Sequence, residues 1–428
     1  MAISGRLVLV AFIGLVLSPL PATALLGYAA LLLVAVGSDL LLAARISDLR
    51  LWREPSPSIR LGSGTETVLV ISNAGRRGLR GRIRDAWLPS AGVQPREHPL
   101  RVPPGERRRV VSTLTPTRRG ARRSAQVTIR TYGPLGLAAR QRRFAVPGTL
   151  RVLPPFTSRK FLPEKISRLR QLDGAVLVRR RGQGAEFDSL REYVTGDDVR
   201  SIDWRATARA RDVMIRTWRP ERDRHLVLAI DTGRTSAARI GDEPRLDAAL
   251  DAALLIAAVA SRAGDRVALV AADVAVRARM GLTTGPPLLG KLVNALTPLE
   301  PQLVETDPRL LASEVDRQSG KRSLVVLFTS LDTAAAGGDL IVAARAIAAR
   351  HQLVVASVGD PRVAELAATR FDASDVYTAA AAELALARRR TVARQLRQLG
   401  ALVVDAPAEI FASRVADAYL DLKAAGKL

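Results

Sequence analysis

The chain of 428 residues has no cysteine, three histidines and only 4% aromatic residues, and each scarcity removes a class of function. Without thiols there are no disulfides, thiolate zinc sites, iron–sulfur clusters or cysteine nucleophiles. His98, His225 and His351 are far apart in the sequence and show no metal-ligand spacing, which argues against zinc chemistry and a histidine-assisted hydrolase. The lack of cysteine fits a reducing compartment without establishing one. The length argues for two or three domains with sizeable cores.

What is abundant is arginine. Lys+Arg number 65 against 41 Asp+Glu, a net charge of +24, and only six of the basic residues are lysine. Genomic base composition can enrich arginine as well as selection for a surface. The surplus is uneven: residues 1–54 hold 4 basic against 3 acidic side chains, 55–150 hold 19 against 4, 151–225 hold 18 against 11, and the rest 24 against 23. A basic middle joined to a balanced C-terminal half points to nucleic acid, anionic lipid or an acidic partner.

Between Arg6 and Arg45 the only charge is Asp39. Two apolar spans, residues 4–20 and 22–44, flank a break marked by Pro19 and Pro21 and read as a transmembrane helical hairpin over residues 1–50. A signal peptide is the competing reading, with Ala22-Thr23-Ala24 as its cleavage site, but a second span follows at once. Arg6 before the spans and Arg45, Arg50 and Arg53 after them place both ends, and the soluble domains, on the cytoplasmic side of the cell membrane. Asp39 is expected to be solvated at the interface.

Residues 55–155 alternate in short runs such as TVLVIS and RRVVSTLTP separated by Gly, Pro and Asn, the pattern of a small all-β sandwich. It carries no catalytic constellation. Arginine pairs such as Arg76-Arg77 and Arg122-Arg123 make a basic face, but interleaved aromatics that could stack bases are nearly absent, which weakens nucleic-acid binding. Residues 156–224 read as a connector. From residue 225 to 428 strands alternate with helices, and fully apolar strands such as 324–328 imply a doubly wound, mainly parallel sheet buried on both faces. Ligands of such sheets bind beyond the strand C-termini. No Gly-x-Gly-x-x-Gly or phosphate-loop motif follows any strand.

At those C-termini stand Asp231-Thr232-Gly233-Arg234-Thr235-Ser236, then Thr283-Thr284, then Thr329-Ser330-Leu331-Asp332. Hard oxygen donors of this kind suit Mg²⁺. The order resembles the metal-ion-dependent adhesion site of von Willebrand factor A domains, whose Asp-x-Ser-x-Ser is followed by a Thr and an Asp. Asp231, Thr235 and Asp332 match, Thr284 or Thr283 supplies the threonine, and Gly233 replaces the first serine. Two readings stand: a divalent-metal site at Asp231, Thr235, Thr284 and Asp332, or a remnant in which Asp231 caps the following turn.

Residues 184–209 contain Arg191-x-Tyr193-x-x-Gly196-Asp197-x-x-Arg200-x-Ile202-x-Trp204 and then Ala208-Arg209. This block resembles the signature of the bacterial membrane-anchored family catalogued as domain of unknown function 58. Residues 116–120 and Gly133-Pro134-Leu135-Gly136-Leu137 resemble that family's β-domain landmarks, so the likeness covers nearly the whole chain. It implies a membrane hairpin, a β domain, an A-like domain and association with a MoxR-type AAA+ ATPase. In its own right the block interleaves Asp197 and Asp203 with Arg191, Arg200 and Arg209 around Tyr193 and Trp204. It reads as a partner surface, since Trp, Tyr and Arg dominate hot spots, or as an internal brace. Arg179-Arg180-Arg181 beside Gly182 reads as a basic loop.

The expected function is a non-enzymatic membrane-anchored adaptor working with that ATPase. A basic lipid- or nucleic-acid-binding protein and a metal phosphohydrolase are the alternatives, the last with too few ligands and no general base.

Overall fold

The computed structural model describes residues 2–16, 21–179, 186–195, 197–210, 212–219, 224–332 and 337–427, and divides the chain into two units, Met1–Pro155 and Phe156–Leu428. The expected basic loop at 179–182 lies largely outside the described residues, as do Pro19 and Gly196.

The first unit holds strand β1 (Ala2–Ile3), helices α1 (Gly5–Val16) and α2 (Ala22–Leu42), and strands β2 (Leu49–Arg53), β3 (Ile59–Arg60), β4 (Thr65–Asn73), β5 (Leu79–Trp87), β6 (Val93–Gln94), β7 (Glu97–Val102), β8 (Arg107–Leu114), β9 (Gly120–Tyr132), β10 (Ala138–Phe144) and β11 (Gly148–Leu153). Ala22–Asp48 is long and apolar enough to cross a membrane. Its companion α1, with 12 residues, falls short of the roughly 20 that a straight span needs, so the described residues contain one helix of spanning length where the sequence suggested two. The two helices touch where the Tyr28 hydroxyl donates to the Val10 carbonyl.

Asp39, expected at a solvated interface, is instead fully buried. Its carboxylate accepts hydrogen bonds from the backbone amides of Leu135 (2.8 Å), Gly136 (3.3 Å), Leu137 (2.8 Å) and Ala138 (3.0 Å). The Gly-Pro-Leu-Gly-Leu turn is therefore a nest for this carboxylate, and a side chain at Gly133 would collide with it. Pairing of Ala2 with Ala139 and of Ile3 with Ala138 ties the other end of the helical segment to the same strand, β10.

The strands form two sheets. One runs β2-β4-β8-β6; in the other β9 pairs with β10, β11 and β5, while β7 extends β5. Alternation puts Leu69, Ile71 and Val110 of the first sheet against Leu79, Ile83, Leu100, Val127 and Ile129 of the second. A buried bidentate pair, Arg53–Asp85 (2.8 and 2.9 Å), is completed by the Trp87 indole and the Ser124 hydroxyl, each donating to Asp85 at 2.8 Å. Asp85 thus has its acceptor capacity filled, which is what makes a buried carboxylate tolerable.

In the second unit α3 (Leu162–Arg179) packs Leu169 into the core and buries Lys165, which binds Asp417 at 2.9 Å. The segment read as a connector thus contributes to this domain. Next come β12 (Glu186–Glu192), α4 (Trp204–Thr207), β13 (Met214–Arg219), β14 (His225–Asp231), β15 (Arg239–Ile240), β16 (Glu243–Pro244), α5 (Arg245–Arg262), β17 (Arg266–Ala272), β18 (Val276–Thr283), α6 (Pro287–Leu296), α7 (Pro308–Gln318), β19 (Leu324–Phe328), α8 (Gly337–Ala348), β20 (Gln352–Gly359), α9 (Pro361–Ala368), α10 (Ala373–Gln398), β21 (Leu402–Pro407) and α11 (Ala408–Ala424). The main sheet runs β18-β17-β14-β19-β20-β21, parallel throughout except that β18 is antiparallel to β17.

Every residue of β14 is buried because both faces are covered. Leu226, Leu228 and Ile230 pack with α5, α6 and α11, while Val227 and Ala229 pack with α7, α8 and α10. The chain leaves β14 for β17 on one side and β19 lies on the other, so the C-terminal ends of β14 and β19 flank the point where strand order reverses, the customary ligand position of such sheets.

Candidate functional site

At that point Asp231 ends β14, with only 5% of its surface exposed. One carboxylate oxygen accepts from the Gly233 amide (2.8 Å) and the Thr306 hydroxyl; the other accepts from the Thr329 hydroxyl (2.8 Å). The Ser236 hydroxyl donates to the Asp231 carbonyl at 2.6 Å and closes the turn. Burial pushes the Asp231 carboxyl above its ordinary range; Thr306, Gly233 and Thr329 pull it back in part, and nearby Asp273 adds to the upward push. Asp273 is equally enclosed, but its bonds to Arg277 (2.6 Å), Thr232 (3.0 Å) and the Ala275 amide (3.1 Å) outweigh burial and hold it below the usual range. Thr235 lies nearby and, with Asp231, Thr306, Thr329 and Ser330, lines a cavity of about 30 Å³, on the order of what one or two waters occupy.

The other expected ligands sit elsewhere. Asp332 points at two guanidinium groups, Arg245 on the first turn of α5 and Arg389 on α10; Arg389 also holds Asp405 (2.8 Å) and the Ser357 hydroxyl (3.0 Å). Burial raises the Asp332 carboxyl, but Arg389 and Arg245 overcome it, and the group is held below its ordinary value. Thr284 is not near Asp231 at all. Because β18 runs antiparallel, Thr283 pairs with Val267, next to the start of β17, whereas Asp231 pairs with Ala272 at its end. Five residues of strand, about 16 Å, separate the two levels. The hydroxyls that do reach Asp231 belong to Thr329, just after β19, and to Thr306, in the loop between α6 and α7.

Gly233 also acquires a reason. A Cβ there would overlap Thr306 Oγ1 and come within 2.9 Å of the Val304 carbonyl oxygen and 3.1 Å of the Thr306 amide nitrogen. Arg234 fixes that approach by donating its amide to Val304 (2.8 Å) and its Nε to Glu305 (3.0 Å). The glycine is thus the gap through which Thr306 enters. A divalent cation does not fit the donor set as arranged. Asp231 already accepts three hydrogen bonds from neutral donors and Asp332 is neutralised by two arginines; among the described residues no three His, Asp or Glu side chains converge.

The Tyr193–Arg209 block is built on the β12–β13 ribbon. Asp197 accepts from Arg191 (2.6 Å) and the Val194 amide (2.9 Å) and shapes the turn after β12. Asp203 caps α4 by accepting from the amides of Arg205 and Ala206, both at 3.0 Å, and pairs with Arg216 at 2.8 Å. These bonds, the Ala206 amide foremost, hold Asp203 below the ordinary carboxylate range. The Tyr193 amide donates to the Val213 carbonyl at 2.7 Å, and Ile215 is buried. The block therefore braces itself through its carboxylates, and among the described residues Trp204 adds no side-chain bond: it is 69% exposed, and its sequence neighbours Val199, Arg200, Arg205 and Arg209 are exposed as well.

Sequence reasoning missed Thr306, Arg245, Arg389 and Asp273. Asp273 carried a usable signal, a carboxylate directly after a strand adjacent to β14. Arg389 sits in a run of three arginines and was indistinguishable from its neighbours.

Residues 189–399 match the family described as protein of unknown function DUF58. An uncharacterized protein of Mycobacterium tuberculosis and one of Mycobacterium bovis are each 28% identical to the chain over 187 residues, 43% of this chain. The chain spans 58% of the length of these relatives. Among solved structures, a conserved hypothetical protein BatB from Bacteroides thetaiotaomicron aligns over 47% of this chain and 99% of its own, at 14% identity and a TM-score of 0.32. A PapD-like domain of human CEP192 aligns over 24% of this chain and 84% of its own, at 13% identity and a TM-score of 0.19.

Proposed function

We propose that the protein is a membrane-anchored, non-enzymatic adaptor whose α/β unit is a von Willebrand factor A-like domain without a working metal site, and whose partner is a MoxR-type AAA+ ATPase. In this reading the α1–α2 segment holds the chain in the cell membrane and both soluble units face the cytoplasm. The observation that carries the adaptor role is the division of labour in the Tyr193–Arg209 block. Asp197 and Asp203 are spent on turns and caps, while Trp204 stands exposed among arginines, the composition of a hot spot awaiting a partner. An enzymatic reading finds less support: Asp231 already accepts three hydrogen bonds, and no nucleophile–base pair stands beside it among the described residues. The resemblance to the membrane-anchored family supplies the class of partner.

The test is affinity co-isolation of full-length protein from detergent-solubilised membranes of its own cells. An AAA+ ATPase should accompany the wild type and the Asp231→Asn/Asp332→Asn variant alike, and be lost from Arg200→Ala/Trp204→Ala. Recovery that depends on Asp231 and Asp332 instead would return the interface to the sheet edge, and recovery of no ATPase would remove the adaptor reading.

A further inference from the structure

The outer face of the sheet containing β5, β7, β9 and β10 bears an arginine array that the described residues neutralise only in part. Alternation turns Arg80 and Arg82 of β5 outward, and strand register sets Arg80 directly opposite Arg101 and Arg82 directly opposite both Pro99 and Arg130. Like charges in directly opposed positions work against the sheet. Among the described residues Arg6, Arg80 and Arg101 have no carboxylate partner, Arg82 approaches Glu97 only at 3.7 Å, and Arg130 spends its Nε on the Gln141 amide oxygen at 2.7 Å.

These arginines surround one cavity of about 680 Å³, the size of a small-molecule site, together with Tyr132 and the 133–136 turn. Its position in the fold narrows the ligand. Arg6 is the second residue of α1, and the 133–136 turn belongs to the nest that receives Asp39 from the last turn of α2. The cavity lining thus includes the points where both apolar helices join the β domain, at the level of lipid headgroups if these helices enter a bilayer. We propose that the cavity is a binding site for the phosphate of an anionic phospholipid headgroup, with Arg80, Arg101 and Arg6 as its principal charges. Arginine suits a phosphodiester because its fork donates two hydrogen bonds at once. Tyr132 adds a ring of the kind that settles at membrane interfaces. This site rests on the reading of α2 as a membrane anchor.

The test uses full-length protein in nonionic detergent, offered phosphatidylglycerol, phosphatidylcholine or inorganic phosphate, with bound lipid counted by native mass spectrometry. Phosphatidylglycerol should be retained at least about tenfold better than phosphatidylcholine. Arg80→Gln/Arg101→Gln should lose about tenfold or more of that retention, since each interfacial arginine contributes separately. Arg108→Gln/Arg123→Gln, exposed positions outside the cavity, should change it less than about twofold. Equal loss in both variants, or none in the first, overturns the proposal, and displacement of the lipid by equimolar inorganic phosphate assigns the site to soluble phosphate instead. Flotation with phosphatidylcholine vesicles in high salt separates the two failures. Protein that does not float refutes the anchor and this site with it; protein that floats but shows no headgroup preference refutes the site alone.

Discussion

Replacing Gly233 with serine would write the missing hydroxyl back into the Asp-x-Ser-x-Ser pattern, yet it should damage the corner rather than complete it. The new Cβ overlaps Thr306 Oγ1 and lies 2.9 Å from the Val304 carbonyl oxygen, so Thr306 must swing away and the 304–306 loop must shift. Losing the hydrogen bond from Thr306 to a buried carboxylate costs about 1.5–3 kcal/mol. Crowding a packed backbone adds about 1–3 kcal/mol, for a total of roughly 2.5–6 kcal/mol. At about 2–4 °C per kcal/mol for a domain of this size, the melting transition of the α/β unit should fall by about 5–24 °C. The assay is thermal unfolding of the full chain in detergent with and without Mg²⁺, with Thr306→Val as the companion that removes the hydroxyl without the clash. Thr306→Val should lose about 1.5–3 kcal/mol, and neither variant should gain stability from Mg²⁺. A Gly233→Ser protein as stable as wild type, or one stabilised by Mg²⁺ in the manner of a bound ligand, would refute the argument.

The two aspartates of the sheet edge should behave oppositely with pH. Asp231 has a raised folded pKa, so the native state holds its proton more tightly than the unfolded chain does, and wild type gains stability as pH falls through that raised value toward about 3.9. Asp231→Asn mimics the neutral form with hydroxyl partners that can reorient; it should cost under about 1 kcal/mol at pH 7, and wild type should gain on it in acid melts. Asp332 has a lowered folded pKa, so its contribution is complete above about 3.9 and lost as pH falls through the folded value. With a third of that side chain exposed, Asp332→Asn should cost about 1–2 kcal/mol at pH 7 and progressively less in acid. Asp39→Leu leaves four amides without their acceptor; hydrogen exchange at Leu135, Leu137 and Ala138 should quicken by about 100-fold or more, and unchanged protection would refute the nest.

A mixed α/β fold was legible because its strands carry unbroken apolar runs and its helices follow in the intervals, as in 226–230 and 324–328. Asp231 was legible for the same reason, since a carboxylate directly after a buried strand marks the edge where ligands sit. Thr284 was misplaced because a linear motif carries no strand direction: β18 turns back, and its final threonines go to the opposite edge. Asp332 was correctly seen as an acid after β19, but its two guanidinium partners come from α5 and from α10, 57 residues beyond it, a pairing that only the folded chain brings together. Asp39 illustrates the reverse: a lone acid in an apolar helix looked solvated, and the backbone amides that bury it lie almost a hundred residues later. Helix α9 escaped notice because its eight residues, beginning at Pro361, form a short, mostly exposed segment.

The adaptor claim is tested most directly at Trp204. With a photo-crosslinking benzoylphenylalanine at position 204 of the full-length chain, irradiation of intact membranes should yield a covalent adduct containing an AAA+ ATPase. The same substitution at Phe371, an even more exposed aromatic position outside the block, should not yield that adduct. Irradiated Trp204 protein that captures no ATPase, or captures it no better than the Phe371 control, would contradict the account.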